Sequence, residues 1–248
     1  MGRRGRLGFW YRVGIGIIKP GTLAFTKREV VGEVRVPGGG IIVAANHISH
    51  ADPAVLCDFV LFGMHRAPRF LAKSEMFRGN GIIARVMRGA GQIPVDRNAT
   101  DAARALEAAV VALAAGETVA LYPEGTVTRD PDKWPMRART GVARLALLSG
   151  APVVPVAQWG AQEIHDTYRA KGWHLLPRTT VSFRVGPPVD LDAFRGREPT
   201  AKVLEQATEK VMRAITTELE VLRGQAAPPQ RHDPRGARPG GENRRGSA

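Results

Sequence analysis

A single cysteine, Cys57, stands in 248 residues. That excludes an intramolecular disulfide framework and a cysteine cage for a metal. Its apolar neighbours make it a small core residue. Aromatic residues are only 6% of the chain, and no stacking platform or known reading motif for nucleic acid is present. No uninterrupted apolar run reaches ~18 residues, so a standard membrane-spanning helix is not expected. No small-residue cleavage site follows the apolar part of the N-terminus, so a signal peptide is not expected either. No Gly-x-Ser-x-Gly elbow occurs, which argues against a serine hydrolase. Acidic residues are scarce: 23 Asp and Glu face 36 Lys and Arg, for a net charge of +13. Such a charge favours polyanionic partners, such as anionic lipid or phosphorylated substrates, and says little about fold.

What remains is the composition of an ordinary globular chain, 44% hydrophobic and 24% charged. At this length one α/β domain with a single core is expected. Short apolar runs alternate with helical patterns, which predicts a mostly parallel or mixed central sheet flanked by helices. Expected strands are 29–36, Ile41 to Ala45, Arg69 to Ala72, Gln92 to Val95, Thr118 to Tyr122, Val153 to Ala157 and Thr179 to Val185. The first two read as a hairpin joined by Pro37-Gly38-Gly39-Gly40. Asp52 is placed as the cap of a helix with Pro53 in its first turn, Thr100 caps a helix to Ala115, and Thr200 to Arg223 is a long amphipathic helix.

Three segments follow from composition. Residues 1–28 carry Arg3, Arg4 and Arg6, then Phe9-Trp10-Tyr11 and several aliphatics, then Lys19, Lys27 and Arg28. Rings and aliphatics flanked by cations suit a membrane surface with anionic lipid, on the cytoplasmic face. The competing reading is a frayed tail packed on the domain. Residues 29–223 form the domain proper. Residues 224–248 are proline, glycine and arginine with almost no apolar content, and are expected to be disordered.

The densest chemistry is Ala45-Asn46-His47-Ile48-Ser49-His50-Ala51-Asp52-Pro53, at the end of an apolar strand. His47, His50 and Asp52 could ligate a metal, but His65, His165, His174 and His232 sit in unrelated contexts and complete no site. They could simply be turn and cap residues, and for His50 alone that reading is preferred. Or His47 and Asp52 could act together as a general base, the carboxylate fixing the imidazole tautomer and stabilising the imidazolium. Ser49 is too near in sequence to serve as nucleophile. The activated hydroxyl then belongs to a substrate.

His47 to Asp52 resembles the His-x4-Asp signature of the glycerolipid acyltransferases, of the 1-acylglycerol-3-phosphate acyltransferase type. Three further blocks follow in the family's order: Gly91-Gln92-Ile93-Pro94-Val95-Asp96-Arg97, Pro123-Glu124-Gly125-Thr126, and Val153-Val154-Pro155-Val156. The likeness spans roughly 30–185. It implies transfer of an acyl group from acyl-CoA or acyl carrier protein to lysophosphatidic acid, giving phosphatidic acid, with no cofactor and no metal. It implies His47 and Asp52 as catalytic, and Lys73, Arg97, Glu124, Gly125 and Thr126 as substrate-binding. The sequence departs from the family at the third block. The family reads Glu-Gly-Thr-Arg, whereas Val127 and Thr128 intervene here before Arg129. That leaves other acceptors open, glycerol 3-phosphate or a glycolipid. Outside the enzyme class, the net charge permits a nucleic-acid-binding protein, and an inactive membrane scaffold is disfavoured because both His47 and Asp52 are present.

Overall fold

The computed structural model describes residues 7–95, 99–169 and 172–233. Among the described residues, seven strands form one sheet: β1 (Thr26–Val30), β2 (Ile41–Ala45), β3 (Pro68–Lys73), β4 (Ile93–Val95), β5 (Thr118–Leu121), β6 (Val153–Trp159) and β7 (Thr179–Val185). Their spatial order is β1-β7-β6-β2-β5-β3-β4. Every pairing is parallel except β6 with β7. The expected α/β class with a mostly parallel, helix-flanked sheet is what the chain forms.

β2 is central because both its faces are apolar. Ile41 to Ala45 are all fully buried, the pattern of a parallel strand covered on both sides. Ile42 and Ala44 join a core with α4 (Ala99–Ala114), α5 (Gly141–Ser149) and α7 (Ala201–Arg223). Ile41, Val43 and Ala45 join another with α2 (Asp52–Phe62) on the opposite face. The helix ends follow local chemistry. Gly150 and Gly224 take left-handed conformations that stop α5 and α7, and the Thr200 hydroxyl accepts from the Val203 N–H at the start of α7.

The expected hairpin does not form. β1 sits at the sheet edge beside β7, and β7 and β6 both separate it from β2, which lies between β6 and β5. The glycine-rich stretch therefore carries the chain from edge to centre instead of reversing it. After β6 the chain forms the four-residue α6 (Ala161–Ile164).

The N-terminal segment folds as α1 (Phe9–Phe25) and runs directly into β1, so the sheet begins at Thr26. α1 packs on α2 and on α3 (Ile82–Gly89). Gly14 lies against Val86, Trp10 covers Gly89, and Thr22 donates to Asp58. Its outer face exposes Phe9 (71%), Ile17 (55%) and Leu23 (59%), and neighbouring α3 exposes Ile83 (63%). Among the described residues, no helix is long and apolar enough to cross a membrane. Of the C-terminal segment, residues 224–233 are described: Arg231 pairs with Glu209, and Arg137 pairs with Asp233. Residues 1–6 and 234–248 lie outside the description.

Candidate active site

β5 and β6 flank β2 on opposite sides, and the α5 crossover passes from one to the other. The crevice beyond such strand ends, where connections diverge, is where open α/β sheets bind ligands. His47 stands two residues past the end of β2.

Asp52 does not cap α2. The helix is preceded by Ala51, which makes no side-chain cap, and Asp52 is its first residue. The fully buried carboxylate turns back into the loop instead. Its Oδ2 accepts from Ile48 N–H at 2.6 Å and Ser49 N–H at 2.8 Å, and lies 2.8 Å from His47 Nδ1. A carboxylate so fixed holds the imidazole proton on Nδ1 and leaves the Nε2 lone pair free. The four intervening residues are thus the length of a loop that folds around one oxygen.

The Pro123 to Thr126 block holds the histidine from the other side. Glu124 Oε1 accepts the His47 N–H at 2.9 Å, and Oε2 accepts the Met136 N–H at 2.9 Å. Two residues beyond the block, the Thr128 N–H donates to the His47 carbonyl at 2.7 Å. Both backbone polar groups of His47 are therefore bound to this one loop. Glu124 is 3% exposed, and burial pushes its carboxyl up to about 8 despite the two N–H groups that favour the anion. The likeness implies a substrate-binding role for Glu124; in the fold its side-chain oxygens accept the His47 and Met136 N–H groups. Gly125 sits at φ +73°, with its N–H donating to Tyr122 O at 3.0 Å. A β-carbon there would meet the Arg139 side chain at 3.3 Å. Gly125 is exposed, and Thr126 follows half-buried.

Two supports were not singled out from the sequence. The Tyr122 ring stacks on the His47 imidazole, centroids 4.1 Å apart at 14°. Asn46 and Gln158 exchange three hydrogen bonds of 2.8–3.0 Å, tying the end of β2 to β6. The signal available was position: Tyr122 directly precedes the third block and Asn46 directly precedes His47.

The other histidine and the serine have separate work. Ser49 donates its hydroxyl to His165 O at 2.7 Å. His50 is exposed, stacks on His165 at 5.8 Å, and its backbone N–H donates to the Thr167 hydroxyl oxygen at 3.2 Å. Desolvation, with the His47, His165 and Lys73 charges, lowers its pKa. Lys73 is exposed at the end of β3. Lys73 pairs in register with Val95, two residues before Arg97; Arg97 itself lies outside the described residues. At the third block the arginine of the resemblance is replaced by Val127, which is buried, and Thr128 is buried with its hydroxyl donated to Trp134 O at 2.8 Å. Among the described residues, no three His, Cys, Asp or Glu converge as metal ligands.

The chain as a whole is similar to known proteins. Over 199 residues the chain is 29% identical to a 1-acyl-sn-glycerol-3-phosphate acyltransferase of Borreliella burgdorferi, covering 76% of this chain and 73% of that protein. It shares its fold with the crystal structure of the 1-acyl-sn-glycerophosphate (LPA) acyltransferase PlsC from Thermotoga maritima: TM-score 0.63, 24% identity, 88% of this chain and 81% of that one. The family model described as Acyltransferase matches residues 27–159, from the first strand through the last block beside His47, and the chain belongs to that acyltransferase family.

Proposed function

We propose that the protein transfers a fatty acyl group from a thioester, acyl-CoA or acyl carrier protein, to the free hydroxyl of 1-acylglycerol 3-phosphate. The product is phosphatidic acid, a precursor in phospholipid biosynthesis. The observation that carries the reading is the 2.8 Å His47 Nδ1–Asp52 contact at the mouth of the central strand, together with the names of the relatives above.

His47 Nε2 takes the proton of the acceptor hydroxyl as its oxygen attacks the thioester carbonyl. The C–O bond forms, the C–S bond breaks, and the imidazolium returns its proton to the departing thiolate. Asp52 holds the tautomer and offsets the imidazolium charge. Base assistance of this kind is worth ~10²–10⁴-fold. Lys73, Arg97, Gly125 and Thr126 contact the acceptor, the cations taking its phosphate and the glycine allowing close approach. Glu124 acts through His47. The thioester is already activated, so neither metal nor cofactor enters this scheme.

The acceptor resides in a bilayer, which gives the outer face of α1 and α3 a purpose. Phe9, Ile17, Leu23 and Ile83 rest at the lipid surface, with Arg12 and Arg85 meeting anionic headgroups. The protein then works as a peripheral or monotopic enzyme on the cytoplasmic face. The deciding experiment incubates the protein with lysophosphatidic acid and labelled acyl-CoA on vesicles and identifies the product. Phosphatidic acid supports the reading. Acylation of glycerol 3-phosphate or a glycolipid alone, in a parallel panel, replaces the acceptor.

A further inference from the structure

The loss of the third-block arginine leaves a cation to be found, and a different stretch brings one to the same turn. The Arg139 N–H donates to Pro123 O at 2.9 Å, and its side chain lies on Gly125 with Cδ and Nε 3.3 Å from where a β-carbon would stand. Arg139 also opens a cleft of about 650 Å³ between the first turn of α5 and α7. Arg144 and Thr140 line one wall, and Glu205, Thr208 and Glu209 the other. Among the described residues, Arg139 and Arg144 have no carboxylate partner, whereas Glu205 and Glu209 face Arg137 and Arg231. α5 begins here with no acidic residue in its first turn and no side-chain cap from Thr140. Thr208 is 94% buried, since its exposure is 6%, and its hydroxyl has no partner among the described residues.

A helix N-terminus with two unpaired guanidinium groups and one unmatched hydroxyl is chemistry for a phosphate. We propose that Arg139, Arg144, the α5 N-terminus and the Thr208 hydroxyl form a phosphate-monoester site that abuts the catalytic loop at Gly125. The site lies outside the four sequence blocks. Its natural occupant is the phosphate of a substrate: the acceptor's glycerol phosphate, or the ribose phosphate monoester of coenzyme A. That assignment of occupants rests on the acyl-transfer reading; the site itself does not.

The test separates the two. The full chain is titrated calorimetrically with inorganic phosphate, glycerol 3-phosphate and coenzyme A. At least one probe binds, and Arg139→Gln and Arg144→Gln each weaken it roughly tenfold or more, as loss of a charge-assisted pair requires. Thr208→Val, near-isosteric, weakens it less and keeps the far-UV spectrum and melting temperature of the parent, which guards against misfolding as the cause. The probe that loses affinity identifies the source: glycerol 3-phosphate for the acceptor, coenzyme A for the donor. Equal binding by parent and both arginine variants, or no binding of any probe, overturns the site. Phosphate binding without phosphatidic acid formation overturns the proposed reaction and leaves the site standing.

Discussion

His47 is held at four points: its Nδ1 by Asp52, its ring face by Tyr122, its backbone N–H by Glu124, and its carbonyl by the Thr128 N–H. Only Nε2 is left for chemistry. Replacing His47 with Ala is expected to lower acyl transfer by about 10²–10⁴-fold, read as thiol release from acyl-CoA, with the fold intact by circular dichroism. Full activity in that variant would remove the mechanism. Asp52→Asn should fall in the same range, because an amide neither fixes the tautomer nor offsets the imidazolium. Glu124 makes a prediction in pH. Its folded pKa of about 8 stands above the ordinary 4.5, so the folded state holds its proton longer than the unfolded one. The stability this confers is complete below about pH 4.5 and is lost as pH climbs to about 8. Glu124→Gln cannot titrate. The melting-temperature gap between parent and variant should therefore be widest near pH 5 and shrink towards pH 8; a gap that grows with pH would contradict it.

At the scale of elements, α1 has one face for the protein and one for its surroundings. Gly14, Trp10 and Thr22 dock it on α3 and α2, and Phe9, Ile17 and Leu23 point outward. Changing Ile17 and Leu23 together to Asp leaves the docked face alone. In sedimentation with anionic vesicles the double variant is expected to stay in the supernatant where the parent pellets, with melting temperature unchanged. Co-sedimentation equal to the parent's would place the lipid contact on another surface. The loop from Glu124 to Arg139 is the other element with two roles. It grips His47 through Glu124 and Thr128, and it carries Arg139 back over Gly125.

At the scale of the molecule, the site depends on β2 entering the sheet centre at one height. Gly40 controls that entry. A β-carbon there would stand 2.0 Å from the Leu113 carbonyl oxygen at the end of α4. Backbone cannot yield as a flexible side chain can, so Gly40→Ala should destabilise by roughly 3 kcal/mol. Urea unfolding would show it as a lowered midpoint at constant slope. A variant as stable as the parent would mean that α4 shifts freely against β2. The Asn46–Gln158 clamp ties the same strand to β6 at its other end.

Much of this was legible in one dimension. Two-sided apolar runs separated by helical periodicity specify a helix-covered parallel sheet, since no other arrangement buries them. A histidine and an aspartate five positions apart after such a run specify a local pair, because a single tight loop closes over that distance. Longer-range geometry was not legible. Pro37-Gly38-Gly39-Gly40 reads as the turn of a hairpin, and only strand pairing across the sheet shows β1 at the edge beside β7. The resemblance implies Glu124 as a substrate-binding residue; that its side chain is buried and accepts the His47 and Met136 N–H groups is visible only in the fold. Arg139 lies 14 positions after Gly125 with no spacing rule to connect them, and the two meet because the chain between them loops out and returns to the Pro123 carbonyl. The sequence by itself determined which strand carries the histidine and which acid serves it, since both are matters of local pattern. The tertiary structure alone decided what surrounds them, since those contacts join residues that only the packed sheet brings together.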